Sequence, residues 1–381
     1  MMSRTRSVAI PPITILAVLL GAAGAAGAGA PRFRYREIAK PGGKNFGQTS
    51  LVDLDRDGDL DFVSGRSGGT VFWFEQESID SWKTHLLGEE AKTDVGGVAI
   101  DVDGDGWIDQ VSGGAWYRNP GKKGEPFSRH VTEGIPTHDT LAADVDGDGK
   151  KDIVGIADSR GVFWYSIPKD PTGRWPEHRV AGVTEPQCHG GIAVGDLDGD
   201  GDADISRVDR WFENQDGKGL EWKERKGLDF GTVGPWGIQS RARILDVDRD
   251  GDNDLIQTEG DVKDGRVAWF ENRGAEGFTR HLIRDSGKNE DFHALVVADL
   301  DRDGDPDILS SGGPLTAGER KTYVWENLDG KGGSWKEHVV HEGIEGHESV
   351  GADIDGDGDI DIASKPWASD THYLLENVTP R

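Results

Sequence analysis

The sequence predicts an all-β fold, a single disc of seven four-stranded antiparallel blades, and three observations carry that expectation. The acidic pattern D-x-D-x-D-G-x-x-D occurs seven times, starting at Asp53, Asp101, Asp144, Asp196, Asp246, Asp299 and Asp353. Short β-type runs, an aromatic run and a W/F-x-x-H/R segment follow the copies in a fixed order. One such segment, Phe33 to Arg36, stands alone ahead of the first copy, and the last copy lacks its own.

The intervals between copies are 48, 43, 52, 50, 53 and 54 residues, close to the period of about 40–50 residues that marks propeller blades. A short strand precedes each loop and three follow it. The second strands read "FVSG", "IVGI" or "ILSS", the third "VFWFEQ", "RWFENQ" or "YVWENL", and the fourth carry "WKTH", "FTRH" or "WKEH". "FRYREIAK" supplies the outer strand that the seventh blade lacks, so the ring closes and leaves no open sheet edge. Residues 31–381 are therefore expected to form one domain.

Residues 1–30 read as a signal peptide. Arg4 and Arg6 precede an apolar run from Val8 to Leu20, and "GAAGAAGAGA" offers small residues in A-x-A register. The run is too short for a stable membrane span, so a secreted, periplasmic or cell-surface monomer is expected. Cys188 is the single cysteine and excludes an internal disulfide. A formal charge of −27 argues against nucleic acid and anionic membranes as partners.

Alternate carboxylates on a glycine-containing loop point hard oxygens at one centre, which suits Ca²⁺. In the first loop the ligands are the side chains of Asp53, Asp55, Asp57 and Asp61 with the carbonyl of Asp59. The second loop offers Asp101, Asp103, Asp105 and Asp109 with Trp107, and the third Asp144, Asp146, Asp148 and Asp152 with Lys150. The fourth offers Asp196, Asp198, Asp200 and Asp204 with Asp202, and the fifth Asp246, Asp248, Asp250 and Asp254 with Asp252. The sixth offers Asp299, Asp301, Asp303 and Asp307 with Asp305, and the seventh Asp353, Asp355, Asp357 and Asp361 with Asp359. An EF-hand is excluded, because position twelve is Ser64, Ser112, Gly155, Arg207, Gln257, Ser310 and Ser364 in place of glutamate. Up to seven structural Ca²⁺ ions would bring the formal charge from −27 to −13.

These units resemble the FG-GAP and VCBS repeats found in integrin-like propellers and in many secreted bacterial proteins. The resemblance implies the fold and the calcium loops, and leaves function open, since a propeller hosts many activities.

Strand alternation puts function on the face opposite the acidic loops, where the remaining loops gather. His85, His130, His178, His281 and His338 share one position on the outer strands and are expected to pack the blades. His138, His293 and His347 stand six residues ahead of their aspartates, and His189 seven ahead of its own. They would open four inner strands at the channel mouth, near Asp139, Glu185, Asp291 and Glu348, and could hold a transition metal or Mg²⁺ or act as acid and base. The plainer alternative is a set of hydrogen-bonding rim residues. Trp236 and Trp367 offer indole surfaces for a sugar on this face, or wedge between loops. Arg241 and Arg243, with Arg66, Arg160, Arg207 and Lys365, would make the mouth basic and suited to an anionic or hydroxyl-rich ligand such as a uronate, or would instead form salt bridges to the protein's many acids.

Three functions follow. The first is a calcium-bound propeller that binds a polysaccharide, oligosaccharide or extracellular protein. The second is a carbohydrate-active lyase or dehydratase, because "W-x-x-H" followed by "H…D-x-D-x-D-G" is similar to the propeller module of aldos-2-ulose dehydratases; that family's cupin domains have no counterpart here. The third is an adhesion or scaffold module. No Gly-rich phosphate loop, G-x-S-x-G or H-E-x-x-H occurs, which excludes the common nucleotide and hydrolase chemistries that use them.

Overall fold

Seven sheets account for the strands of the computed structural model, which describes residues 29–380 except 93–94, 133–136, 184–187, 229–232, 236–237 and 288. The leader expectation falls on residues 1–30 and lies almost wholly outside the described ones. Each sheet contains one four-stranded antiparallel blade, ordered inner to outer along the chain in blades 1 to 6. Blade 1 comprises Phe46–Val52, Asp61–Arg66, Val71–Ser78 and Ser81–Gly88. Blade 5 comprises Ile238–Leu245, Asp254–Glu259, Val267–Asn272 and Phe278–Arg284, with Cys188–His189 running parallel to Ile238–Gln239. No helix of the described residues is long and apolar enough to cross a membrane.

The ring closes as the orphan segment requires. Phe33–Ala39 forms the outer strand of blade 7 against His372–Asn377, with Phe33 opposite Asn377 and Arg36 opposite Leu374. The register repeats that of the other blades, where Phe278 faces Asn272 and His281 faces Trp269. An N-terminal strand thus reads as the fourth strand of a unit that starts some three hundred residues later.

Second strands are buried along their whole length in every blade except for the terminal Arg66, because each is covered on both faces by neighbouring blades. Outer strands alternate or lie open. The core is a set of seven clusters, one at each junction. Val63, Trp73 and Tyr117 join blades 1 and 2, and Leu51, Phe74, Ile354 and Leu374 join blade 1 to blade 7. Burying such side chains stabilises by roughly 1.5–3 kcal/mol each, enough to hold a ring without cross-links. Trp175 lies just ahead of the outer strand Glu177–Ala181 and packs into the junction of blades 2 and 3.

Candidate functional site

The acidic loops all turn at one end of the inner hairpins. Their fourth position is left-handed, filled by glycine in four loops and by Arg56, Arg249 and Arg302 in three, at φ of 62, 64 and 69°. Each of these arginines reaches the next blade. Arg56 lies over Trp107 at 4.3 Å, Arg249 donates to the Gly304 carbonyl, and Arg302 pairs with Asp357 and Asp359.

The ninth aspartate is the keystone of each loop. One oxygen of Asp254 accepts the Val247 N–H at 2.9 Å, and the other accepts the Asn272 N–H at 2.8 Å. Asp61, Asp109, Asp204, Asp307 and Asp361 repeat both bonds. Burial pushes Asp254 and Asp361 up to about 7, against the pull of those N–H groups. The third-strand asparagine then sends its side-chain N–H to the previous blade: Asn272 to Leu197, Asn214 to Val145, Asn119 to Leu54 and Asn377 to Leu300. Gln76 closes the ring in the same way on Ile354.

The residues fit a hard cation. In the loops of blades 2, 3 and 4, three carboxylates can each place an oxygen within 4.8 Å of the others: Asp101, Asp103 and Asp109; Asp144, Asp146 and Asp152; Asp196, Asp198 and Asp204. In blades 1 and 5 the groups are Asp53, Asp55 and Asp57, and Asp246, Asp248 and Asp250. Ligands 2.3–2.6 Å from one ion have this spread. Asp301 Oδ2, Asp359 Oδ1, Asp144 Oδ1 and Asp353 Oδ1 are buried with no hydrogen-bond partner, which is costly for a carboxylate unless a cation meets it.

The outer-strand histidines have a sharper role than packing alone. His85 and His281 stack on Trp73 and Trp269, at 4.4 and 4.6 Å between ring centres. Their Nε2 atoms meet Glu75 and Glu271 at 2.5 and 2.7 Å, and His338 meets Glu326 at 2.6 Å. Arg225 pairs with Glu213 and Arg36 with Glu376 in the same way. In blade 2 the glutamate position is Arg118, and His130 turns to Ser128. In blade 3 it is Ser166, which His178 meets at 3.4 Å. In five of the seven blades the H/R of the motif therefore meets a third-strand glutamate, a link visible in the sequence only once the register is known.

At the opposite mouth the structure brings three of the four predicted histidines to the inner-strand ends. His293 and His347 stack at 3.8 Å between centres. His293 Nδ1 lies 2.8 Å from the His347 carbonyl, and its Nε2 lies 3.6 Å from Asp261. His347 Nδ1 lies 2.9 Å from Lys365 Nζ, and its ring meets Trp367 at 4.9 Å. His138 pairs with Asp158 at 3.1 Å. His189 forms its short strand, but its side chain, with Trp236 and Glu185, lies outside the described residues.

The two buried imidazoles carry opposite protonation tendencies. Burial lowers His347 well below the ordinary histidine range, helped by His293 and Lys365. Burial also opposes charge on His293, but Asp261 and Asp291 more than offset it and raise its pKa. Asp291 is pushed up to about 7 by burial.

The basic mouth does not form. Arg241 is 4 % exposed and crosses the channel from blade 5, donating to Asp139 of blade 3 at 3.2 Å and to Glu348 of blade 7 at 2.7 Å. Arg243 donates to the Ala242 carbonyl and is pushed down to about 10 by burial and by Arg241. Arg207 and Lys365 are fully buried, Lys365 bonded to Phe46 and His347, and Arg160 pairs with Glu177. The cations expected to meet a ligand are spent on the protein's own acids and carbonyls, a distribution that strand alternation cannot reveal.

An FG-GAP-like repeat model matches residues 53–112, 144–205 and 246–310. The chain carries FG-GAP-like repeats. Each matched stretch starts on the first aspartate of an odd-numbered blade and runs into the second strand of the next. No curated protein matches the chain. Crystal structures of BBS1N in complex with ARL6DN, soaked with mercury and with lead, contain a chain of the same architecture. The TM-scores are 0.55 and 0.51 at 12 % identity, over 92 and 93 % of this chain and 98 % of the matched one. At that identity the likeness concerns the fold.

Proposed function

We propose that the chain is an exported, calcium-stiffened binding propeller whose mouth, around His138, Asp158 and Trp367, takes an uncharged, hydroxyl-rich ligand such as a neutral oligosaccharide. The observation that carries this reading is the Arg241 bridge, which matches the mouth's charges internally and leaves a half-buried indole beside polar groups. An indole face with nearby hydrogen-bonding side chains suits a sugar ring. A uronate would have to displace Asp139 or Glu348 from the guanidinium, so an anionic ligand is disfavoured.

Catalysis through a histidine-bound metal has less support, since His347 Nδ1 meets the Lys365 ammonium, a cation, and His293 Nε2 faces Asp261. The acidic loops then serve stability: the ion supplies the positive charge that their carboxylates lack, and binding it favours the folded state.

Calorimetric titration with neutral and acidic oligosaccharides tests the ligand. Binding of a neutral glycan, lost in W367A and H138A with an unchanged melting temperature, is expected. Binding of acidic glycans only, or survival of binding in both variants, would overturn the reading. Chelation of calcium is expected to lower the Tm by roughly 10 °C or more; an unchanged melt would remove the calcium assignment.

A further inference from the structure

The seven loops are not equivalent in the charge that surrounds them. In blade 2, the repeat's third-strand glutamate is replaced by Arg118. Its guanidinium sits in the loop itself, with Nε 2.5 Å from Asp103 and an Nη 2.8 Å from Asp105. These are the carboxylates at the third and fifth positions of the motif. In blade 1, Lys123 from the neighbouring blade places its ammonium 2.7 Å from Asp55 and 2.5 Å from Glu75. In blade 7, Arg302 arrives from the blade-6 loop and pairs with Asp357 at 3.0 Å and with Asp359.

Blades 4, 5 and 6 differ. Among the described residues no lysine or arginine pairs with the carboxylates at the first, third or fifth positions of their loops, Asp196, Asp198, Asp200, Asp246, Asp248, Asp250, Asp299, Asp301 and Asp303. Glu213, Glu271 and Glu326 stand beside Asp198, Asp248 and Asp301 and draw Arg225, Arg273 and Lys336 to themselves instead of to the loops. Asp301 is 2 % exposed, and its Oδ2 has no partner. In blade 3, Lys150 meets Asp148, but both side chains lie well exposed and the contact is readily displaced.

We infer that Arg118, Lys123 and Arg302 are resident cations of the loops of blades 2, 1 and 7, and that a divalent ion fills the loops of blades 3 to 6 first. The inference rests on the calcium reading above and deepens it. A carboxylate oxygen that already accepts a charged N–H at 2.5–2.8 Å cannot also face a divalent ion without bringing two cations into contact. The ring is therefore held by two means. The arc that contains the closure of blade 7 on blade 1 is held by protein cations, and the opposite arc by bound ions. In calcium-poor surroundings each loop of the closure arc keeps one protein cation among its carboxylates, and the repulsion is greater in the other arc.

Calcium titration of the full chain by calorimetry, with native mass spectrometry for the ion count, tests this. Wild type is expected to bind about four ions tightly, seven loops less the three that carry a resident cation. R118E restores the glutamate of the repeat and is expected to add one tight ion. It should also melt below wild type in chelator and recover in calcium. K123Q gives the same test at a half-exposed lysine, in case R118E fails to fold. Seven equivalent ions in wild type, or an unchanged ion count in both R118E and K123Q, would overturn the inference and leave the calcium reading standing. No bound calcium in wild type would overturn both.

Discussion

The two faces of the disc meet the same electrostatic problem in opposite ways. On the loop face, like charges gather at the surface and several carboxylate oxygens have no partner within the protein. At the mouth, charges of both signs are buried together and answer one another, as Arg241, Asp139 and Glu348 do. The loop carboxylates would be completed by a cation from solution; at the mouth, Arg241 already answers Asp139 and Glu348. The acidic motif repeats in all seven blades, whereas the buried charges of the Arg241 bridge come from blades 3, 5 and 7 alone.

The most damaging way to break this contrast is R241M. It leaves Asp139 and Glu348, 2 and 4 % exposed, without their counter-charge. Removing one partner of a buried ion pair costs about 3–5 kcal/mol. Denaturant unfolding should report that loss with calcium and with chelator alike, because the Arg241 bridge does not depend on the loops. A loss that disappears in calcium would show that the two faces are coupled and would refute the division.

Much of this plan was legible in the residues, and the exceptions share a cause. The aspartate repeat declared the blade count and the position of the loops, because each loop is local and closes through contacts within about twenty residues. Phe33 and Arg36 announced the closure through a local motif. The sequence left Arg241 open between ligand and salt bridge because its partners lie 102 and 107 residues away. Strand alternation places a side chain on a face but cannot tell whether it crosses a channel. Arg207 and Lys365 were left open in the same way: a charged residue at a strand end reads as a surface group until the neighbouring blade covers it.

A milder perturbation tests the closure arc through pH. His372 is fully buried where blade 7 meets blade 1, with Nε2 2.9 Å from Ser64 Oγ and its ring against Phe46 and Phe74. Burial holds it down to about 3, whereas the unfolded chain titrates near 6.5. The unfolded state therefore binds the extra proton first. The stability from a neutral His372 is full above about pH 6.5 and is lost as pH falls toward 3. Between pH 6.5 and 4.5 the loss is about 2 kcal/mol. Unfolding free energies of H372Q should be flatter than wild type over that interval; parallel pH profiles would place the acid sensitivity elsewhere, with Asp291 and His293 the next groups to test.

The gentlest probe is the side-chain bond that ties each loop to its neighbour. In N272A the Leu197 and Asn253 carbonyls lose their donor, at 2.8 and 3.0 Å, and the expected cost is about 1–2 kcal/mol. In N119A the equivalent bonds to Leu54 and Ile108 are lost, at 2.9 and 3.0 Å. The chemistry removed is the same, so in chelator the two variants should lose similar stability. Calcium should then separate them. Leu197 belongs to a loop with no resident lysine or arginine on its carboxylates among the described residues, so a bound ion there can hold the turn and shrink the N272A penalty. Leu54 lies in the loop that Lys123 already neutralises, and the N119A penalty should stay nearly constant as calcium is added. Equal calcium responses from the two variants would mean that all the loops take up the ion alike, and that the contrast within the loop face is one of sequence alone.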